Sequence, residues 1–272
     1  MKDSRPRIAI PEPTSTDLAY NQRGWPQYAH AVTSCNGIAV PVPLTESQAT
    51  VAHLLSTCSA ILLPGSPADL NPQKYGQSPV PECAPADAAR ESVDELMLQD
   101  AFNLHKPVFA ICYGFQSLNA WRNGSLTQHL TTPVNHAPGR TILDAHKVLI
   151  VKKSRLGEIC LKSGEVVADD SDGRSDQERL AVNSSHHQAV ATAGDGLSIV
   201  GRSADDGVIE AVELDSDNHY VMGTQWHPER SFNFSAASRA IFASFVAAAA
   251  AWKIRPVSES VVRDSVAATS GR

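Results

Sequence analysis

Cysteine is sparse and unpatterned in this chain of 272 residues: Cys35, Cys58, Cys83, Cys112 and Cys160 are odd in number, widely spaced and contain no C-x-x-C pair. A disulfide framework and a zinc ribbon are therefore excluded as organising features, and a reducing, cytoplasmic compartment is expected. Basic charge is also short: 23 Lys and Arg against 29 Asp and Glu leave a net charge of −6, with no basic stripe, so no nucleic-acid partner is expected. Long apolar runs are missing. The longest uncharged stretch, Ala240 to Trp252, is too short to span a bilayer and suits a packing helix. Met1 to Arg7 is polar and charged, which argues against a secretory leader. Internal repeats are absent as well. What the chain does have is 42% hydrophobic residues, enough for a sizeable core. One domain over residues 1–252 and a tail over 253–272 are expected.

Short apolar runs alternate with helical patterns in the first half. Ile8 to Ile10, Ile38 to Val42, Ala60 to Leu63 and Pro107 to Ile111 read as strands; Trp25 to Cys35, Val51 to Cys58 and Ala86 to His105 read as helices. That alternation predicts an α/β fold with a mostly parallel sheet covered by helices on both faces. The second half adds strands at Lys147 to Val151, Leu197 to Arg202, Val208 to Leu214 and Tyr220 to Gln225, with a hairpin turn at Asp205, Asp206 and Gly207. Asn71 to Pro85 reads as a surface loop, and the acidic run Asp169 to Glu178 as a solvated one. Arg90 and Asp94, at i and i+4 on a helical pattern, read as a surface ion pair of small effect.

Candidate chemistry concentrates at strand ends. The apolar run ending at Ile111 stops at Cys112; Ala110 and Gly114 flank it with small residues, and a helical pattern follows, the layout of a nucleophile held on a sharp strand-to-helix turn. A helix N-terminus favours the thiolate. His227 follows another apolar strand, and Glu229 stands two residues on, so a base and an orienting carboxylate are available. The Tyr113 backbone N–H, and that of Gly65 just after Leu63, could receive a developing oxyanion. Gln116, one turn beyond Cys112, could hydrogen-bond a polar substrate. His186 and His187 point different ways on an extended chain and make a poor chelate; one is expected to pack inside and one to line a pocket. No metal and no organic cofactor are expected.

These residues together resemble the class I glutamine amidotransferase superfamily and, within it, the γ-glutamyl-γ-aminobutyrate hydrolase-like peptidases. The resemblance runs from about Arg7 to about Ala248. It rests on Leu63 to Asp69 with Pro72, Tyr75 and Gly76; Arg90 with Asp94; Ala110 to Asn119; His146 with Ser154 to Leu156; Val182 to Gln188; Asp206 to Ala211; and Gly223 to Glu229. Ala110, Tyr113, Pro64 and Asn123 depart from the usual residues at their places. The resemblance implies a flavodoxin-like core with added antiparallel strands, and a triad of Cys112 as nucleophile, His227 as acid and base, and Glu229 as orienting carboxylate. It implies Gly65 and Tyr113 as oxyanion donors, with Gln116, His186 and His187 near the substrate. The implied reaction is hydrolysis of a small γ-glutamyl amine through a γ-glutamyl thioester, with a homodimer left open. A glutaminase subunit feeding ammonia to a synthase, or an inactive binding homologue, are the alternatives.

Overall fold

The computed structural model describes residues 3–168 and 176–254. Most of the acidic run Asp169 to Glu178 and nearly all of the 253–272 tail lie outside the described residues. Among the described residues, twelve strands form one sheet, in which a central path runs β2-β1-β3-β4-β12-β11-β10-β6-β8-β7. β1 (Arg7–Pro11), β2 (Ile38–Val42), β3 (Ala60–Leu63), β4 (Val108–Ile111) and β12 (Val221–Thr224) are parallel. The added strands are antiparallel: β6 (His146–Val151), β8 (Gln177–Val182), β10 (Leu197–Ser203) and β11 (Ile209–Leu214) extend one side, and β7 (Val167–Ala168) ends it. β5 (Ser125–Thr127) and β9 (Ala189–Thr192) pair beside β11. The expected α/β architecture, flavodoxin-like with antiparallel additions, is the one observed.

The central strands are buried on both faces, which is why they read as unbroken apolar runs. Alternation along each strand divides the core in two. Ile8, Ile10, Leu62, Phe109 and Ile111 face a layer with Tyr28, Phe242 and Phe245. Ala9, Ile61, Leu63, Val108 and Ala110 face one with Leu55, Met97 and Phe115. The first layer comes from α1 (Leu18–Ser34), α5 (Arg155–Ser163) and α7 (Ala236–Ala251), the second from α2 (Gln48–Ser56), α3 (Ala88–Leu104) and α4 (Tyr113–Trp121). The short α6 (Pro228–Ser231) follows β12. Side-chain N-caps start most of the helices: Asp17, Ser47, Asp87, Ser154 and Ser235 each accept from a backbone N–H three residues on.

The structure corrects the reading of Arg90 and Asp94. Both side chains are fully buried, 2.7 Å apart, and Arg90 also donates to the carbonyls of Pro13 and Pro64 at 2.8 and 2.6 Å. Spacing on α3 showed the pairing but not the burial, because the covering residues come from the loops after β1 and β3. The pair is a clamp on the Pro64 loop, and breaking it would leave an uncompensated buried charge. α1 also begins earlier than expected. Pro26 lies at its middle, and the helix continues through it from the Asp17 cap.

No helix among the described residues is long and apolar enough to cross a membrane.

Candidate active site

β3, β4 and β12 lie side by side in parallel, with Leu63, Ala110 and Gly223 in register across the three. Each chain therefore leaves the sheet at the same edge, the carboxyl end where open α/β sheets bind their ligands. Gly65, Cys112 and His227 emerge there.

Cys112 sits between β4 and α4 with φ 53° and ψ −108°. A non-glycine residue in this region costs of order 1–3 kcal/mol, tolerated where surrounding structure enforces it. Enforcement is visible: the Cys112 N–H donates to Thr224 O at 2.8 Å, and its carbonyl accepts from Gln116 N at 3.0 Å. Gly114 lets α4 close onto β3, since a β-carbon there would lie 2.3 Å from Leu63 O. Gly114→Ala is accordingly expected to cost at least about 2 kcal/mol, read as a lowered denaturant midpoint, because backbone must move to admit the methyl group.

Burial decides the state of the sulfur. Cys112 is 6% exposed, and that burial pushes its thiol up to about 12, against the smaller opposing pull of Arg230; Glu229 pushes it further upward. Loss of hydration thus opposes the pull toward thiolate that a helix N-terminus supplies. The Tyr113 backbone N–H engages the sulfur and lowers the value.

His227 Nδ1 lies 2.7 Å from Glu229 Oε1. The carboxylate accepts the Nδ1 proton, which leaves Nε2 as a lone pair, and Nε2 has no hydrogen-bond partner among the described residues. Asn183 fixes the histidine backbone at two points: its Oδ1 accepts from His227 N at 2.9 Å and its Nδ2 donates to His227 O at 2.7 Å. A methyl group built on Gly65 would lie 2.8 Å from His227 Cε1 and 3.6 Å from Cys112 Cβ. Glycine there leaves open the space the two side chains share. Burial, followed by the charge of Arg230, lowers the His227 imidazole to about 4 despite the nearby Glu229.

The sign of that shift makes a stability prediction. Between pH 6.5 and about 4 the unfolded chain takes up a proton that folded His227 refuses. Stability should fall by about 3 kcal/mol as pH drops through this window, and His227→Asn should remove that part of the slope in denaturant titrations.

Cys112, His227, Tyr113, Gln116, His186 and His187 line one cavity of about 270 Å³. Gln116 is buried, not a surface residue, and its Nε2 donates to Gln188 O at 3.0 Å and Gln225 Oε1 at 3.2 Å. His187 is the more open histidine and pairs with Asp69 at 3.0 Å, while His186 is buried. The Gly65 N–H donates to Tyr28 Oη at 3.0 Å. Tyr28 comes from α1, and no local pattern in the sequence pointed to it. Arg230 also lines the cavity, and its Nε and Nη1 donate no hydrogen bond among the described residues. Its position next to Glu229 was the signal that sequence reading passed over.

Comparison with known proteins agrees with this architecture. The peptidase C26 family model matches residues 13–229. A provisionally named glutamine amidotransferase of Mycobacterium tuberculosis is 31% identical over 210 residues, covering 76% of this chain, and the chain spans 62% of that relative's length. The γ-glutamyl-γ-aminobutyrate hydrolase PuuD of Escherichia coli is 28% identical over 224 residues, covering 82% of this chain and 84% of its own. A crystal structure of a glutamine amido transferase from Methylobacillus flagellatus superposes with a TM-score of 0.56 at 14% identity, covering 93% of this chain and 98% of that one, a likeness of fold alone. Family and relatives together support a hydrolase acting on carbon–nitrogen bonds. The chain belongs to the peptidase C26 family.

Proposed function

We propose that the protein hydrolyses the γ-glutamyl amide bond of a small γ-glutamyl amine through a thioester on Cys112. The observation that carries this reading is the His227–Glu229 pair at 2.7 Å, with an unpartnered Nε2 on the histidine that shares a cavity with Cys112. Thiol and imidazole are both neutral at rest, so proton transfer accompanies attack. The Cys112 Sγ–H proton passes to His227 Nε2 as the sulfur bonds to the γ-carbonyl carbon, and Glu229 stabilises the imidazolium. The oxyanion takes the Tyr113 N–H and competes with Tyr28 for that of Gly65. His227 then protonates the departing amine nitrogen as the C–N bond breaks, leaving the thioester. Water attacks this, its proton going to His227; the C–S bond breaks, glutamate leaves, and the proton returns to sulfur.

Arg230, with donors to spare, would meet the glutamyl carboxylate. Residues 1–252 would act as one hydrolase domain without an organic cofactor, in a reducing cytoplasm that suits five free cysteines. The experiment is glutamate release from the isolated chain, comparing glutamine with γ-glutamyl-γ-aminobutyrate, γ-glutamyl polyamines and γ-glutamyl dipeptides. Clear preference for a γ-glutamyl amine supports the proposal. Preference for glutamine, or activity only with a partner, supports the ammonia-supplying reading that the mycobacterial relative's name raises.

A further inference from the structure

His136, His146, His186 and Glu210 meet at one buried point behind the cavity wall. They come from four separate segments: the loop after β5, the first residue of β6, the loop between β8 and β9, and β11. All four are buried, Glu210 completely. Glu210 Oε1 lies 3.0 Å from His146 Nε2, 3.4 Å from His136 Nδ1 and 3.7 Å from His186 Nε2. Ligand atoms of His136, His146 and Glu210 all lie within 4.8 Å of one another.

Proton accounting shows why this arrangement is unusual. His136 Nε2 stands 2.9 Å from Asp206 Oδ2, a carboxylate that only accepts, so that nitrogen carries the proton of a neutral ring. His186 Nδ1 stands 2.9 Å from Gln188 O, a carbonyl that only accepts, so its proton is committed too. The remaining nitrogens, His136 Nδ1 and His186 Nε2, are then lone pairs aimed toward a carboxylate, and neither has a hydrogen-bond partner among the described residues. Glu210 Oε2 is likewise unpartnered. Lone pairs and an anion gathered away from water repel one another unless a cation lies among them.

We propose that His136, His146 and Glu210 bind a single first-row divalent cation, zinc by the nature of the donors, and that His186, whose Nε2 lies outside the mutual 4.8 Å set, moves in as the fourth ligand. Ligand atoms around a tetrahedral zinc, each about 2.0–2.1 Å from it, stand about 3.3 Å apart, which the three distances to Glu210 Oε1 bracket. Three imidazoles and one carboxylate suit zinc, cobalt or nickel and not magnesium or calcium, which take oxygen ligands. The Asp206 and Gln188 contacts are the outer partners that metal-bound histidines usually have, setting the tautomer from behind. His146 would bind through Nε2 and carry its proton on Nδ1. With four protein ligands the site is closed, so the metal would tie segments together and not activate water. One of those segments, at His186, lines the cavity. Sequence spacing does not reveal the set, because no two of its members sit on one local motif; His146 and Glu210 appear only among the family landmarks.

The test uses the full chain, stripped with a chelator and dialysed metal-free, then titrated with cobalt(II) and separately with zinc. Expected are one metal per chain by elemental analysis, the visible absorption of four-coordinate cobalt displaced by zinc, and a raised melting temperature with either ion. His146→Gln and Glu210→Gln should each weaken zinc binding by more than about 100-fold, and Asp206→Asn, an outer partner, by about 10- to 100-fold. Circular dichroism identifies any variant that fails to fold, and Asp206→Asn leaves all four ligands in place. Absence of stoichiometric binding by the unaltered chain would overturn the proposal, as that result means an additional proton reconciles the cluster. Equal zinc affinity in folded variants would overturn it too.

Discussion

Replacing Cys112 by alanine is expected to lower glutamate release by at least about 10⁴-fold while leaving the melting temperature within a few degrees. Alanine keeps the β-carbon, so the elbow at φ 53° is strained to the same degree as before. The contacts that enforce it run through the Cys112 backbone, to Thr224 O and from Gln116 N, and survive the change. Only the sulfur is lost, and with it the thioester that divides one difficult displacement into two easier ones. Water could still enter, but His227 would have to activate it against a stable amide. Cys112→Ser should be nearly as inactive, since a hydroxyl is harder still to ionise in a site that already pushes a thiol up to about 12. Steady-state assays, with circular dichroism to show the fold intact, check both variants.

Glu229→Gln is expected to lower kcat by about 10²- to 10⁴-fold with little change in KM. Glu229 accepts the Nδ1 proton of His227 and so leaves Nε2 free to take the thiol proton. A glutamine can turn its NH₂ toward Nδ1 instead, which places the ring proton on Nε2, the wrong nitrogen. It also removes the charge that offsets Arg230, whose Nε lies 3.6 Å from Glu229 Oε1. The histidine is already held at about 4 by burial and by Arg230. Without the carboxylate, its protonated form is costlier still, and that form is the one the reaction must reach. Pre-steady-state measurement should place the loss in formation of the acyl-enzyme. Retention of most of the kcat would mean that Glu229 does no more than pack against the ring.

The parts of this molecule legible in its sequence are those fixed by local pattern. β3 at Ala60–Leu63 is found at its expected bounds because a fully buried parallel strand announces itself as an apolar run, and the edge strand β2 at Ile38–Val42 because its residues are uncharged and apolar even where half-buried. The strand-end placement of Gly65, Cys112 and His227 was readable for the same reason, since each follows an apolar run directly.

What was not legible depends on partners distant in the chain. β5, β8 and β9 are short or interrupted by charge, and gain their identity from pairing across the sheet. α5 is a nine-residue helix whose Gly157 reads as a breaker; there a β-carbon would lie 2.1 Å from Val151 O, so glycine permits the packing it seems to oppose. Arg90 and Asp94 are a buried clamp because loops from elsewhere close over them. Tyr28 at Gly65, and the grip of Asn183 on His227, are likewise products of the tertiary fold. The burial that pushes the Cys112 thiol upward belongs here as well: helix position was visible in sequence, but the burial was not.

The central claim is that Cys112 becomes acylated. Its most direct test is to mix the protein with a γ-glutamyl amide, quench in acid within the first turnovers, and map the digest by mass spectrometry. A glutamyl increment on the peptide carrying Cys112, formed and lost at rates compatible with turnover and absent from Cys112→Ala, is the expected result. Glutamate released at full rate while that peptide stays unmodified would contradict it.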